Sequence, residues 1–330
     1  MVAAHPLLPD RRGQIDHLLA KIKTLNERIW EQRASKPIVD AWLANFRDDL
    51  DEPWSERLHA LYLLSRFTYF GNSESRVLLR ALYRDIFRYP IIESIRRSMG
   101  DTIDSGPIAK RFETELLATR FLGLGNPSES GTHLLYYFRQ ENDLPYRLFV
   151  HTHQLFNDRL DSSRTEFADP SIKRLVFLDD FCATGDQAML YSRNVLSVIA
   201  SVSARTGQHV EVLYYPLVAT KLGLSRVRRG STFTHTNALI QLDGTFRCFA
   251  PGSRYFSGIG PDLDQKFARA MCLKYGRPLF RGHPFGYRNS QLLLGFQHNI
   301  PDNTLPIFWA GAASRLPWEP VFRRHNKLYY

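Results

Sequence analysis

The sequence has few cysteines and no long apolar run, and each shortage excludes a class of protein. Its three cysteines, Cys182, Cys248 and Cys272, are far apart, so they fit neither a disulfide framework nor a CxxC zinc ribbon. We expect free thiols. No apolar run reaches the ~20 residues that cross a bilayer, and the first residues lack the apolar core of a secretory signal. We therefore expect a cytoplasmic protein with no membrane partner.

The composition is that of a globular protein with an excess of positive charge. The 330 residues are 44% hydrophobic and 23% charged, which excludes disordered, collagen-like and coiled-coil classes. The formal net charge is +10, of which residues 1–110 carry +2 and residues 111–330 carry +8. A basic surface of this kind attracts phosphate groups, either in a small polyanion or along a nucleic-acid backbone.

Two regions with different hydrophobic patterns follow one another along the chain. Between Gln14 and Arg97 apolar residues recur every three or four positions, which predicts helices; the pattern includes Leu58, Leu61, Leu64, Phe67 and Phe70. Further along, short apolar runs alternate with helical patterns, which is typical of a mostly parallel sheet with flanking helices. These runs lie at 147–150, 174–178 and 209–215.

The patterns predict an α/β fold in which a mostly parallel sheet is flanked by helices. We assign a helical N-terminal region to residues 1–110 and an α/β domain to residues 111–330. The end of that domain, from about 250 to 330, is rich in loops and is expected to form a C-terminal hood. In parallel sheets ligands lie at the carboxyl ends of the strands, so the loops that follow the strands are the places to look for chemistry.

The loop after the run at 174–178 carries the most informative residues. The apolar run leads into two carboxylates, then a turn of small residues, then the start of a helix; these positions are Asp179, Asp180, Ala183, Thr184, Gly185, Asp186 and Gln187. Successive strand residues point to opposite faces, so the two aspartates can serve different partners. A glycine lets the backbone approach a ligand, and the first N–H groups of a helix bind anions. A phosphate fits the turn, and sugar hydroxyls or Mg²⁺ fit the carboxylates.

This segment resembles the phosphoribosyl pyrophosphate (PRPP) loop of type I phosphoribosyltransferases. The resemblance implies that Asp179 and Asp180 hold the ribose hydroxyls and Mg²⁺, while the backbone of 183–187 and the Thr184 hydroxyl hold the 5-phosphate. Three residues depart from the family pattern: Phe181, Cys182 and Gln187. Ala183 stands where the 6-oxopurine enzymes of the family have a carboxylate base, which disfavours purine salvage.

An upstream segment fits the pyrophosphate loop of the same family. Ser128, Ser130 and Gly131 lie between an apolar run and a helical pattern, where a serine is also a routine helix N-cap. The resemblance implies that backbone N–H groups of Ser130 and Gly131 bind pyrophosphate.

The C-terminal stretch 282–309, together with the helical N-terminal region, resembles phosphoribosyltransferase-like proteins of bacterial antiphage loci. Some of these accompany a retron reverse transcriptase, which implies a toxic effector that its partners keep silent until infection. The stretch offers His283, Arg288 and His298 as residues of a lid. The alternative is that its loops and buried tryptophans simply close a core.

The resemblance implies transfer of a phosphoribosyl group from PRPP, with Mg²⁺, to an acceptor that the sequence does not identify. The other class of function is a catalytically silent module that senses a nucleotide or joins a ribonucleoprotein. The densest basic run, Arg226, Arg228 and Arg229, is a candidate contact with nucleic acid or a partner, with a solvated surface as the alternative. Assembly into an oligomer is left open.

Overall fold

The part of the chain that the structure describes contains eleven α-helices and seven β-strands. The computed structural model describes residues 9–50, 55–125, 130–157, 165–258, 262–311 and 316–324. The α-helices and β-strands are α1 Pro9–Arg28, α2 Lys36–Leu43, α3 Ser55–Leu64, β1 Thr68–Phe70, α4 Asn72–Ala81, α5 Tyr89–Ser98, α6 Ser105–Leu117, β2 Thr119–Gly123, α7 Ser130–Glu141, β3 Arg174–Cys182, α8 Asp186–Tyr191, α9 Ser197–Thr206, β4 Glu211–Thr220, α10 Lys221–Gly230, β5 His235–Thr236, β6 Ile240–Leu242, α11 Gln265–Leu279 and β7 Leu294–Phe296. The π turns are Leu82–Arg88 and Ser192–Leu196, and the 3-10 turns are Tyr146–Leu148, Thr152–Leu155, Gly244–Phe246, Tyr287–Asn289 and Pro306–Phe308.

The chain forms two compact units. The first unit comprises residues 1–73 and 244–330, and the second comprises residues 74–243. This division does not coincide with the sequence-based boundary at residue 110. Helices after residue 74 pack on the sheet of the second unit, where the ring of Phe87 lies 5.1 Å from that of Phe121 in β2.

The second unit is built on a parallel sheet with the strand order β2-β3-β4-β5, and β6 also pairs with β4. Strand β3 lies between β2 and β4 and is buried on both faces, so it reads as a continuous apolar run from Leu175 to Leu178. Its neighbours hold it in register through Phe121 opposite Val176 and Phe177 opposite Tyr214. The mostly parallel α/β fold predicted from the sequence is confirmed.

A proline explains why β4 has two short partners on one side instead of one long one. Pro216 has no N–H to donate to a neighbouring strand. Strand β5 pairs with Leu213 and Tyr214 before this residue, and β6 pairs with Val218 to Thr220 after it. The outer strand is therefore interrupted opposite Pro216.

Two of the three predicted strands are longer than their apolar runs, and one is wrong. The run at 174–178 continues as a strand through both aspartates to Cys182, and the run at 209–215 continues to Thr220. Residues 147–150 instead contain a 3-10 turn, and only Phe149 forms a bridge, with Phe121 of β2. Pro145, which precedes this turn, has no N–H for strand pairing.

The first unit packs described residues from the N-terminal and C-terminal parts of the chain around one core. Trp42 of α2 donates its indole N–H to the carbonyl of Ile307 at 2.7 Å, and its ring stacks on Phe308 at 5.6 Å. Trp318 donates to the same Ile307 carbonyl at 3.0 Å. Trp309 and Trp318 of the C-terminal region are both buried in this core, as the alternative interpretation of that region expected.

One sequence expectation for the first unit needs correction. Phe70, which fits the helical pattern, lies in strand β1, because Thr68–Phe70 pairs in parallel with Leu294–Phe296 of β7. The loop-rich region after residue 250 also contains the 15-residue helix α11. The carboxylate of Asp264 caps that helix by accepting from the N–H groups of Lys266 and Phe267.

Candidate functional site

The candidate site lies at the carboxyl end of β3. The strand ends at Cys182, a turn of small residues follows, and a helical run begins at Asp186. The run continues through the π turn into α9, because Ser192 and Ser197 keep right-handed helical backbone angles. The sequence-predicted order of strand, turn and helix is confirmed.

The two aspartates at this strand end face different surroundings. Asp179 is buried, 5% exposed, and its Oδ2 accepts a 2.6 Å hydrogen bond from the hydroxyl of Tyr214 on β4. Its other oxygen accepts from the backbone N–H of Asp180 at 3.1 Å. Asp180 is only half-buried, and its Oδ1 accepts from the N–H of Phe181 at 2.8 Å. The two carboxylates thus lie in different surroundings, as the alternation of side chains along a strand predicts.

Burial makes the Asp179 carboxyl a weaker acid than an ordinary aspartate. Loss of solvent raises the pKa of Asp179 well above its ordinary value, and the nearby Asp180 charge raises it further. The hydrogen bond from Tyr214 opposes this effect in part. Burial likewise raises the pKa of the Cys182 thiol to about 12, which makes Cys182 a poor nucleophile. Asp180 is thus the carboxylate better suited to meet a ligand.

The turn brings the backbone into close contact with α10. Gly185 has a φ of +77°, which other residues rarely adopt. A Cβ at Gly185 would lie 2.8 Å from a methyl of Val227 and 2.9 Å from the carbonyl oxygen of Gly223. A Cβ at Gly223 would in turn clash with the carbonyl of Ala183. The two glycines therefore allow the turn and the first turn of α10 to pack backbone on backbone.

A threonine at the end of β4 ties the turn to the same helix. The Thr220 hydroxyl donates to the carbonyl of Ala183 at 2.5 Å and accepts from the N–H of Gly223 at 2.9 Å. Thr220 is thus the N-cap of α10 and also a brace for the turn.

Arg226 of α10 reaches the turn with both arms of its guanidinium. It donates to the carbonyl of Thr184 at 2.6 Å and to Oδ1 of Asp186 at 3.0 Å. The Thr184 hydroxyl donates to the other Asp186 oxygen at 3.0 Å. Sequence reasoning missed this role because Arg226 lies forty residues beyond Asp186. A general rule could have indicated that Arg226 lies near the turn: helices that follow adjacent parallel strands begin at the same edge of a sheet.

The other two arginines of the basic run also bond within the chain. Arg228 donates to the carbonyl oxygen and the hydroxyl of Thr236, each at 3.0 Å. Arg229 is exposed and donates to the carbonyl of Ser225 in its own helix at 3.3 Å. The partner contact that the sequence suggests for this run stays a prediction.

The predicted pyrophosphate loop begins from the same sheet edge. Ser128 lies outside the described residues, while Ser130 and Gly131 are the first residues of α7. That helix follows β2, whose last residue, Gly123, lies opposite Leu178 of β3. The chain therefore leaves β2 and β3 at the same edge, as the assignment requires.

The described residues contain no cluster of three or more His, Cys, Asp or Glu side chains placed to bind a metal ion. None of the helices in the described ranges is long and apolar enough to span a membrane. All three cysteines are free and buried, which confirms the expected free thiols.

Comparisons with known proteins identify the family. The sequence model of the PRTase-CE family matches residues 39–324. Among solved structures, the AQ2163 protein from Aquifex aeolicus is 13% identical, over 63% of this chain and 86% of that chain, with a TM-score of 0.27. Orotate phosphoribosyltransferase from Aeropyrum pernix is 18% identical, over 44% of this chain and 75% of that chain, with a TM-score of 0.21. No curated protein matches. Since the family match covers most of the chain, the protein belongs to the PRTase-CE family and is phosphoribosyltransferase-like.

Proposed function

We propose that the protein binds PRPP at residues 179–187 and transfers its phosphoribosyl group to an acceptor. The observation that carries the proposal is the strand end at Asp180 followed by the tight turn at Gly185 and a helix start, in a chain of this family. The turn and the first helical N–H groups suit a 5-phosphate. The half-buried carboxylate of Asp180 suits the ribose hydroxyls.

The reaction is a substitution at the anomeric carbon of the ribose. The bond from that carbon to pyrophosphate breaks, and pyrophosphate leaves with the electron pair. A lone pair of the acceptor forms the new bond, and the acceptor then loses its proton. Positive charge develops on the sugar and negative charge on the leaving group, so the protein contributes mainly by electrostatics and positioning.

Different residues supply these contributions. Asp180 holds the ribose hydroxyls near the developing positive charge, and the backbone of Thr184 to Gln187 holds the 5-phosphate. The N–H groups at Ser130 and Gly131 receive pyrophosphate. Asp179, buried against Tyr214, acts as a positioning residue that supports the strand end. The acceptor has no assignment, and water as acceptor would make the protein a PRPP hydrolase.

Magnesium fits this arrangement through one protein carboxylate. Mg²⁺ usually keeps several waters and binds one or two carboxylates together with substrate phosphates. Asp180 suits this role, whereas Asp179 is buried and already accepts from Tyr214 and from the N–H of Asp180. When bound, the ion would neutralise the charge of the leaving pyrophosphate.

A silent sensor is the second candidate. It is favoured by Phe181, Cys182 and Gln187, which depart from the family pattern, and by Ala183, which stands where related enzymes have a carboxylate base. A role as the effector of an antiphage system, beside a reverse transcriptase or a ribonucleoprotein, is a further part of the proposal. It rests on the sequence resemblance.

The deciding experiment measures pyrophosphate release from PRPP and Mg²⁺, with and without candidate acceptors. Asp180→Asn is nearly isosteric and should abolish release without unfolding the protein. Asp16→Asn, an exposed position on α1, is the matched control and should leave release unchanged. Binding of PRPP without any release would support the sensor. Release that survives Asp180→Asn unchanged would contradict the assigned role of this carboxylate.

A further inference from the structure

The strongest unexplained feature beside the site is a carboxylate within the phosphate-binding turn. Asp186 is the first residue of α8, and both of its oxygens accept hydrogen bonds, one from the Thr184 hydroxyl and one from Arg226, each at 3.0 Å. The Asp186 and Arg226 side chains are partly buried, with 26% and 29% of their surfaces exposed. A carboxylate so close to a 5-phosphate would repel it. Its presence therefore needs an explanation.

The donors that Asp186 uses are those that a phosphate requires. A hydroxyl, a guanidinium arm and the N–H groups of a helix start form a common anion-binding set. We propose that Arg226 is a phosphate ligand of this protein and that Asp186 holds its donors until the phosphate arrives. On binding, the phosphate takes the Thr184 hydroxyl and one arm of Arg226 from Asp186. The inference rests on the proposed function, because it concerns the phosphate of the same ligand.

The Arg226 nitrogen that does not contact Asp186 makes this exchange feasible. It donates to the carbonyl of Thr184 at 2.6 Å and can keep that bond while the first arm changes partner. The close contacts of Gly185 with Gly223 and Val227 hold the turn in place during the exchange. A phosphate dianion carries more charge than the Asp186 carboxylate, so it is the stronger partner for the guanidinium.

The exchange would make the turn selective. A ligand with a single negative charge gains little by displacing Asp186, while a phosphate dianion gains more. We therefore expect the protein to discriminate against sugars without a 5-phosphate and against carboxylate ligands, and to bind ribose 5-phosphate more tightly when Asp186 is neutral.

The substitution Asp186→Asn separates this role from a purely structural ion pair, because the two predict opposite signs. If the pair only braces the turn, Asp186→Asn loosens the turn and weakens ligand binding. If Asp186 competes with the phosphate, Asp186→Asn frees Arg226, removes the repulsion and strengthens binding. We expect the affinity for ribose 5-phosphate to rise on the order of tenfold.

Calorimetric titration with ribose 5-phosphate, and with PRPP and Mg²⁺, tests the inference. Arg226→Gln should lower the affinity for both ligands by roughly 10- to 100-fold, and Arg226→Lys should restore part of it, since it keeps the charge but loses the second arm. Arg229→Gln is the matched control on the same helix and should change neither affinity. If Arg226→Gln does not fold, Asp186→Asn and Arg226→Lys carry the test.

The outcomes separate this inference from the proposed function. If the wild type binds PRPP but Asp186→Asn shows no gain in affinity, the inference is overturned and the proposed function stands. The same holds if Arg226→Gln keeps the full affinity. Failure of both wild type and Asp186→Asn to bind PRPP or ribose 5-phosphate contradicts both. A gain in Asp186→Asn together with a loss in Arg226→Gln supports both.

Discussion

The hydroxyl of Tyr214 on β4 donates a 2.6 Å hydrogen bond to the buried carboxyl of Asp179 on β3. The two side chains belong to neighbouring parallel strands, in which Asp179 lies opposite Pro216. Their bond joins the strand that carries the candidate site to the strand that leads into α10. The buried, titratable carboxyl of Asp179 thus helps to fix the position of the strand end that carries the candidate site.

The first prediction concerns the pH dependence of this bond. Burial raises the pKa of Asp179, so the folded protein holds the proton more tightly than the unfolded chain does. The contribution of Asp179 to the free energy of unfolding is therefore present at low pH, and it is lost as the pH rises through the folded-state pKa. Asp179→Asn should match the wild type at acidic pH and become more stable than it as the pH rises. A gain of about 1 kcal/mol would raise the melting temperature by roughly 2–4 °C.

Two variants control this measurement. Asp16→Asn removes an exposed carboxyl on α1 and should not reproduce the growing difference with pH. Tyr214→Phe removes the donor and leaves the Asp179 carboxyl with one partner fewer, which should lower stability by about 1–3 kcal/mol. Equal melting temperatures for wild type and Asp179→Asn at every pH would refute the assigned acidity.

The second prediction concerns the close approach at the turn. Gly185 and Gly207 both have a positive φ, +77° and +70°, but a Cβ would meet close neighbours only at Gly185. Gly207→Ala should cost about 1–2 kcal/mol from backbone strain alone. Gly185→Ala should cost about 1–3 kcal/mol more, because its methyl group would overpack against Val227. Denaturant unfolding measures both, and equal losses would show that the turn does not need the close contact.

The third prediction concerns a buried histidine in the first unit. His59 donates through Nδ1 to the carbonyl of Ser55 at 2.6 Å, and its Nε2 accepts from the N–H of Asp264 at 2.9 Å. Burial lowers the pKa of His59, so the neutral ring is favoured in the folded state.

The stability that this preference contributes is complete above the ordinary histidine pKa of about 6.5 and is lost as the pH falls through the folded-state pKa. His59→Gln keeps a donor and an acceptor but cannot titrate there. The melting temperature of the wild type should therefore fall more steeply than that of His59→Gln between neutral pH and pH 5. Parallel curves would argue against the neutral ring.

Local patterns predicted the parts of the fold that depend on local physics. The buried strand before Asp179, the turn at Gly185 and the helix at Asp186 each have a sequence signal, and all three are present. The strand at 147–150 failed because a short apolar run does not show whether it has a pairing partner. The strand Thr68–Phe70 was missed because its partner, Leu294–Phe296, lies far along the chain.

The contacts that complete the candidate site depend on tertiary structure. The bond between Asp179 and Tyr214 requires the register of β3 against β4, and no spacing in the sequence reveals it. Arg226 reads as one member of a basic run, and only the packing of α10 against the turn shows that two of its donors face the loop. The grouping of residues 244–330 with the N-terminal helices likewise comes from long-range packing.

Thermal unfolding in the presence of PRPP and Mg²⁺ tests the central claim most directly, because an enzyme and a silent sensor both need the phosphate-binding turn. A ligand that binds only the folded state adds about 2.7 kcal/mol at 100 times its dissociation constant. PRPP with Mg²⁺ should raise the melting temperature visibly, ribose 5-phosphate should raise it less, and folded Gly185→Val should show no shift. A folded wild type whose melting temperature stays unchanged with PRPP, ribose 5-phosphate and common nucleotides would contradict the assignment of residues 179–187 as a ligand site.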